Sequence, residues 1–271
     1  MSTDRGWSAA ASRWPLVVFC LAVAFVLAVA AGESTAATYE VGPGRTYENI
    51  SDVPLENLTA GDTVRIYYRA TPYKEKWVVT AQGTQASPVT FEGVPGTGGE
   101  LPVLDGDGAT TRMQLSFWSE NRAVIKFGES SVPADVTPTY VIVENLDFKS
   151  ARPGYFFTDD TGAQQEYADA ASGIWIVRGR NITVRNCIFR DCGNGFMTYS
   201  TDSEASGDIL VEGCYIYDNG IEASVYQHNN YTASQGITFQ YNHFGPLRAD
   251  CSGNNLKDLS LIHISEPTRP Y

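Results

Sequence analysis

The chain has 271 residues, a formal net charge of −12 and 43% hydrophobic residues. That is enough apolar material for one good core. So acidic a surface argues against nucleic acid as a partner, and it disfavours polyanions unless a local basic patch or a bound cation intervenes. Residues 1–37 read as an export signal. Arg5 and Arg13 give a basic start, Leu16 to Ala31 is an unbroken apolar run, and small residues follow at Ser34-Thr35-Ala36-Ala37. The run is shorter than the roughly 18 residues of a full membrane span, so cleavage near Ala37 is expected, with an uncleaved tether as the alternative. The expected product is a secreted or cell-surface monomer (a periplasmic location is also allowed) with no membrane segment after cleavage.

The next signal is a repeat. VIVENLDF at 141–148, ITVRNCIF at 182–189, ILVEGCYI at 209–216 and ITFQYNHF at 237–244 superpose, with starts 41, 27 and 28 residues apart. Periods of that size mark a solenoid. Apolar residues alternate at positions one and three, Val141 and Val143 in the first copy, as on a strand with one buried face. Two residues then break the phase, and alternation resumes at positions six and eight, Leu146 and Phe148. Such a break means a sharp bend that keeps the inside inside. Its second residue is Asn145, Asn186, Gly213 or Tyr241. Asn and Gly tolerate the left-handed backbone of a corner, and Tyr241 is the exception. Each coil then stacks about 4.8 Å from the next through parallel ladders.

GIWIVRGRNITVRNCIFRDCGNGF at 173–196 resembles a coil of the right-handed parallel β-helix found in pectin-lyase-like proteins. YEVGPGRTYENI at 39–50, AGDTVRIYYRATPYKEKWVV at 60–79, SPVTFEGVPG at 87–96 and PVLDG at 102–106 resemble the opening coils of secreted members. The resemblance covers most of 39–258 and implies an all-β fold, a single-stranded right-handed parallel β-helix spanning 38–258. A short N-terminal helix, Tyr47 to Leu58, is expected to cap its open end. The segment 152–172 is a polar, acidic excursion that explains the long first interval. It is either a border of a binding face or a surface loop.

Outside the signal, which holds Cys20, the cysteines are Cys187, Cys192, Cys214 and Cys251. An even number in an exported chain allows disulfides, and their connectivity stays open. Cys187 falls directly under Cys214. Two buried thiols suit that position at least as well as a bond, because in-register neighbouring strands fit disulfide geometry poorly.

In proteins of this resemblance the site lies in a groove along one parallel sheet. The corresponding strands here are 173–177, 196–200, a stretch near 228–233, and 253–258, with Trp175, Tyr199 and Lys257 turned outward. The resemblance implies a polysaccharide partner and β-elimination on a uronic-acid polymer. That reaction needs the carboxylate beside the reacting carbon neutralised, a base for the adjacent proton and an acid for the leaving oxygen. Candidates are His228 and Tyr231 as base or acid, and Lys257 as base or neutraliser. Asn230, Asn254 and Asn255 are candidate clamps, and Arg178 and Arg248 candidate grips for carboxylates. Trp175 and Tyr199 are either sugar platforms or plain surface aromatics. His228 in QHNNY also reads as a surface histidine, and the asparagines as turn ladders.

Asp191 and Asp218 occupy equivalent positions on neighbouring coils. Adjacent carboxylates repel unless a cation sits between them, which makes calcium the expected cofactor if there is one, against two turn aspartates splayed into solvent. The same pair would serve a glycoside hydrolase. The third alternative is a non-catalytic carbohydrate-binding or adhesion module. The Gly-His-Gly and aspartate cluster of polygalacturonase-like enzymes and the Trp-Ile-Asp-His signature of extracellular pectate lyases are not evident. Asn49, Asn57, Asn181 and Asn230 begin glycosylation sequons. The chain closes on LSLIHISEPTR at 259–269, which fits a translated transposase adapter of the kind used in sequencing libraries. Residues 259–271 are therefore expected to be a non-native tail, against the alternative of a natural polar one, and His263 receives no role.

Overall fold

Val141, Ile182, Ile209 and Ile237 lie one above another in the computed structural model, which describes Met1 and residues 36–200 and 206–259. The expected export segment from Ser2 to Thr35 and the expected tail from Ser260 onward lie outside the described residues. Phe148, Phe189, Ile216 and Phe244 stack in the same way one bend later. The apolar alternation therefore sets the register, as a one-residue slip would turn every buried side chain to solvent.

The chain coils through three parallel walls. The first is a seven-stranded sheet running from Thr38–Val41 through Thr139–Glu144 and Gly179–Arg185 to Gln235–Gln240. The second is five short strands, from Val103–Asp105 to His243–Phe244. The third is a nine-stranded sheet. Six of its strands run in order to one edge: Glu75–Val79, Ala123–Phe127, Ser172–Ile176, Asn194–Thr198, Asn230–Thr232 and, at the edge, Lys257–Asp258.

Left-handed residues make the corners. Asn145, Asn186, Gly213 and Tyr241 have φ of 58°, 53°, 62° and 56°. Two further columns do the same: Tyr140, Asn181, Asp208 and Gly236, and then Ser150, Asp191 and Asp218. A left-handed L-residue costs roughly 1–2 kcal/mol, least for Asn, Asp and Gly, which is why those types dominate the columns. Inside, Phe148 and Phe189 stack with centroids 5.0 Å apart. Cys187, Cys192 and Cys214 are free and buried, and Cys251 is free and half-buried. Burial pushes the Cys187 thiol well above its ordinary range, with its neighbour Cys214 adding to the effect. They behave as small hydrophobes on the axis.

The expected N-terminal helix is realised as two single 3-10 turns, Ile50–Asp52 and Leu55–Asn57. Pro54 explains the difference, because the residue before a proline is driven out of the helical region. Val53 is accordingly extended, at φ −74° and ψ 137°. Ile50, Val53, Leu55 and Leu58 still bury their side chains in the core.

The acidic excursion is not a free loop. Phe156–Thr158 and Gln164–Glu166 form an antiparallel hairpin, joined through Phe156–Thr158 to the strand Ala109–Thr111. Phe157 and Tyr167 anchor it. Between them lies Lys76, only 1% exposed. Its ammonium donates to the carbonyls of Glu120 and Ala123 and to the Tyr167 hydroxyl, and it sits 4.0 Å from the Phe157 ring centroid. Burial pulls its pKa from 10.5 down to about 7, against the opposing pull of the Glu120 carboxylate.

Candidate functional site

The strands of the nine-stranded sheet bring one outward column together: Val78, Lys126, Trp175, Met197, Tyr231 and Lys257. Alternation puts Ile125, Ile174 and Phe196 on the opposite, inner side. The column changes character along its length. At the Lys126 end it is roofed. Lys126 is 1% exposed, donates 2.5 Å to the Trp118 carbonyl and pairs at 2.7 Å with Glu129. Burial lowers its pKa, and the Glu129 partner opposes that. Trp175 is covered as well, with Arg122 4.6 Å and Lys126 5.0 Å from its ring. It faces outward as expected, but at 6% exposed it offers no platform to a sugar.

The other end opens. Tyr231 is half-buried, and the Lys257 ammonium lies 5.2 Å from its ring centroid. The His228 ring stacks on Tyr231 with centroids 5.6 Å apart and planes 14° off parallel. The three candidates for acid–base work thus converge on neighbouring coils of one face. Tyr199 stands beside them at 43% exposure, two residues beyond the column and held by its N–H to the Ile176 carbonyl.

His228 differs from both sequence readings. It is neither a surface residue nor an open base, being 1% exposed. Its backbone N–H donates to Asn194 Oδ1, and its Nδ1 accepts the Asn254 backbone N–H at 2.9 Å. A neutral ring that accepts at Nδ1 carries its proton on Nε2, and that nitrogen is buried without a hydrogen-bond partner among the described residues. Burial, with the Lys257 charge adding, lowers its pKa from 6.5 to about 4. The unfolded chain takes up a proton at this residue first, so the stability it supports is full above pH 6.5 and falls away toward pH 4. Long-range 1H–15N NMR should show the Nε2–H form unchanged from pH 8 to about pH 5; an imidazole titrating near 6.5 would refute this arrangement.

The remaining candidates scatter. Asn230 points inward, opposite Phe196, and is fully buried. It is therefore no substrate clamp, and its sequon is closed in the folded chain. Asn255 caps a ladder: Asn219 Nδ2 donates to Asn229 Oδ1, and Asn229 Nδ2 to Asn255 Oδ1, each at 3.0 Å. Arg178 pairs with Asp135 at 2.8 Å. Arg248 lies on another face, donating 2.7 Å to Asp191 and 3.0 Å to the Asp218 carbonyl.

Asp191 is the centre of a cationic hub. Arg152 donates to it at 2.8 Å and the Tyr155 hydroxyl at 2.7 Å. Burial pushes its pKa up, but the hydrogen bonds from Tyr155, Arg152 and Arg248 outweigh that and hold it below 3.8. Both guanidiniums donate to Oδ1 and the Tyr155 hydroxyl donates to Oδ2, so positive charge already occupies the carboxylate and the Asp191–Asp218 pair does not fit calcium. Among the described residues no group of three or more His, Cys, Asp or Glu side chains is placed to hold a metal. An ionised Asp191 is also no general acid.

Sequence reasoning missed Lys76, Lys126 and Met197. Lys126 had a usable signal, because AVIKF at 123–127 places a lysine among residues that are otherwise core-like. A shallow depression of about 270 Å³ lies over the seven-stranded sheet, lined by Gln85, Tyr140, Ile142, Asn181 and Asp208 among others, away from the column.

A family model described as a right-handed β-helix region matches residues 119–256. Among solved structures, the GH136 lacto-N-biosidase from Eubacterium ramulus is similar at 13% identity and a TM-score of 0.45, over 76% of this chain. The chain spans 43% of that enzyme's length. Comparison with curated proteins gives no match.

Proposed function

Because the chain belongs to the right-handed β-helix family, we propose that it engages a uronic-acid-containing polysaccharide along the open end of the outward column and cleaves it by β-elimination. One observation carries the reading: Tyr231 and Lys257 lie on adjacent coils of one face, with His228 stacked beneath the tyrosine. A cation and an aromatic ring on an otherwise acidic protein suit a sugar ring that bears a carboxylate. In this reading Lys257 neutralises the uronate, which acidifies the adjacent carbon-bound proton. Tyr231 acts as the phenolate, takes that proton, and as the phenol returns it to the leaving oxygen. The electron pair forms the new double bond as the leaving oxygen departs and is protonated. His228 is a positioning residue, a neutral flat support that fixes the phenol. The reading also takes the protein to be exported, following the basic and apolar start of the chain.

Acid–base groups contribute about 10²–10⁴-fold, so Tyr231→Phe should cut the ultraviolet-absorbing unsaturated product at least a hundredfold while glycan retention stays unchanged. Lys257→Ala should weaken retention as well. Pectate, alginate and glycosaminoglycans form the panel, each with and without calcium. No absorbance change on any of them sinks the elimination.

The second reading is a binding module without turnover. The enclosure of His228 favours it, since neither ring nitrogen presents a lone pair to solvent. It predicts retention on a glycan column that Tyr231→Phe leaves intact, with no product from the wild type.

A further inference from the structure

The five-stranded sheet carries an aromatic ledge that the proposed site does not use. Tyr215 and Tyr217 project from the same outer side, two residues apart, with ring centroids 4.2 Å apart and planes 18° from parallel. The His243 ring meets Tyr215 edge-on at 4.8 Å. Tyr215 is 37% exposed. The neighbouring coil makes room for it. At Gly245 a Cβ would come within 2.7 Å of Tyr217 Cβ and 3.1 Å of the Tyr215 ring, so only a glycine lets the rings lie across the next strand.

The polar groups around the ledge are paired. Arg190, in the same outward column as Tyr217, makes a two-pronged ion pair with Asp147 at 2.9 to 3.2 Å. Lys149 pairs with Asp105 at 3.3 Å. Asp147 is buried at 7% exposed, while the Arg190 side chain stays partly exposed and offers a donor to sugar hydroxyls. Their charges cancel, so nothing there selects an anion. Two tyrosines and a histidine are also far smaller than the roughly 800 Å² per partner of a stable protein interface.

We propose that the Tyr215–Tyr217–His243 ledge binds a neutral pyranose chain, independently of the Tyr231–Lys257 face. The hydrophobic face of a ring stacks on Tyr215, and Arg190, held in place by Asp147, donates to its hydroxyls. The test is affinity electrophoresis in gels containing galactomannan, xyloglucan or mixed-linkage β-glucan, with polygalacturonate as the acidic control. Migration on at least one neutral polymer should be retarded. Tyr215→Ala should weaken that retardation about tenfold, as for an aromatic hot spot, and Tyr215→Trp should keep it. Tyr231→Phe and Lys257→Ala should leave it untouched, which separates this site from the elimination reading. Circular dichroism of Tyr215→Ala, a surface change, confirms the fold. No retardation on any neutral polymer overturns the proposal. So does retardation that Tyr215→Ala leaves intact, or that Lys257→Ala abolishes.

Discussion

Replacing Lys76 by Met should strongly change how stability depends on alkaline pH. In the folded chain burial holds this amine at about 7 rather than 10.5. The sign follows from proton counts. Between those two values the unfolded state keeps a proton that the folded state has released, so stability rises with pH across the window. Below about pH 7 both states are protonated and the full penalty for burying the charge is present. The fall from 10.5 to about 7 corresponds to roughly 5 kcal/mol, net of the carbonyls and rings that cradle the ammonium. Lys76→Met keeps the volume and removes the titration. Urea unfolding of the two proteins from pH 6 to pH 10.5 should therefore show the wild type gaining on the variant by several kcal/mol. Parallel curves would mean that the amine stays charged throughout, held by its carbonyls. The tyrosines titrate in both proteins and cancel in the difference.

Asp191→Asn carries the second large effect. The side chain accepts from Arg152, Arg248 and Tyr155, which come from the hairpin base and a coil two turns away. Asparagine tolerates the left-handed backbone at this position, where φ is 55°. The substitution therefore isolates the charge from the corner. Two partly buried guanidiniums lose their counter-ion, and a loss of roughly 2–4 kcal/mol is expected, below the limit for a fully buried pair. Because the carboxyl is held below its ordinary pKa, the stability it provides is present above about pH 4 and disappears as the pH falls further. Urea unfolding at pH 7 and pH 3 tests both statements. Wild type and variant should differ at the first pH, and the gap should narrow at the second. Addition of a calcium chelator should leave the wild-type curve unmoved; a chelator-sensitive midpoint would restore the ion that the arginines displace here.

The parts of this fold that were legible are those that repeat. The registers of Val141, Ile182, Ile209 and Ile237, and the left-handed second residue of each bend, follow from alternation and one phase break. Every rung meets the same neighbours above and below, so local pattern is enough. Even Tyr241, the wrong residue type for a corner, obeys the column. The outer face is different, because its environment is supplied from elsewhere in the chain. Trp175 reads as an outward aromatic until Arg122 folds over it, and the carbonyl that covers Lys126 comes from Trp118, outside its strand. His228 is enclosed because Asn194 and Asn254, 34 residues before and 26 after, take its polar atoms. Asn230 fell on the wrong side because the turn before it set a phase that no repeat could show. The two 3-10 turns in place of a helix were more accessible, since Pro54 announces the break.

The three left-handed columns also make the coil a unit of change. A coil added or lost between two others leaves each corner resting on a corner of the same kind, and the interior columns close without repacking. Outer-face groups, by contrast, move apart or together by one strand spacing, about 4.8 Å. The reach of any surface groove on this scaffold is therefore quantised. Its length changes in whole rungs, while fine adjustment is left to the side chains and loops that roof it.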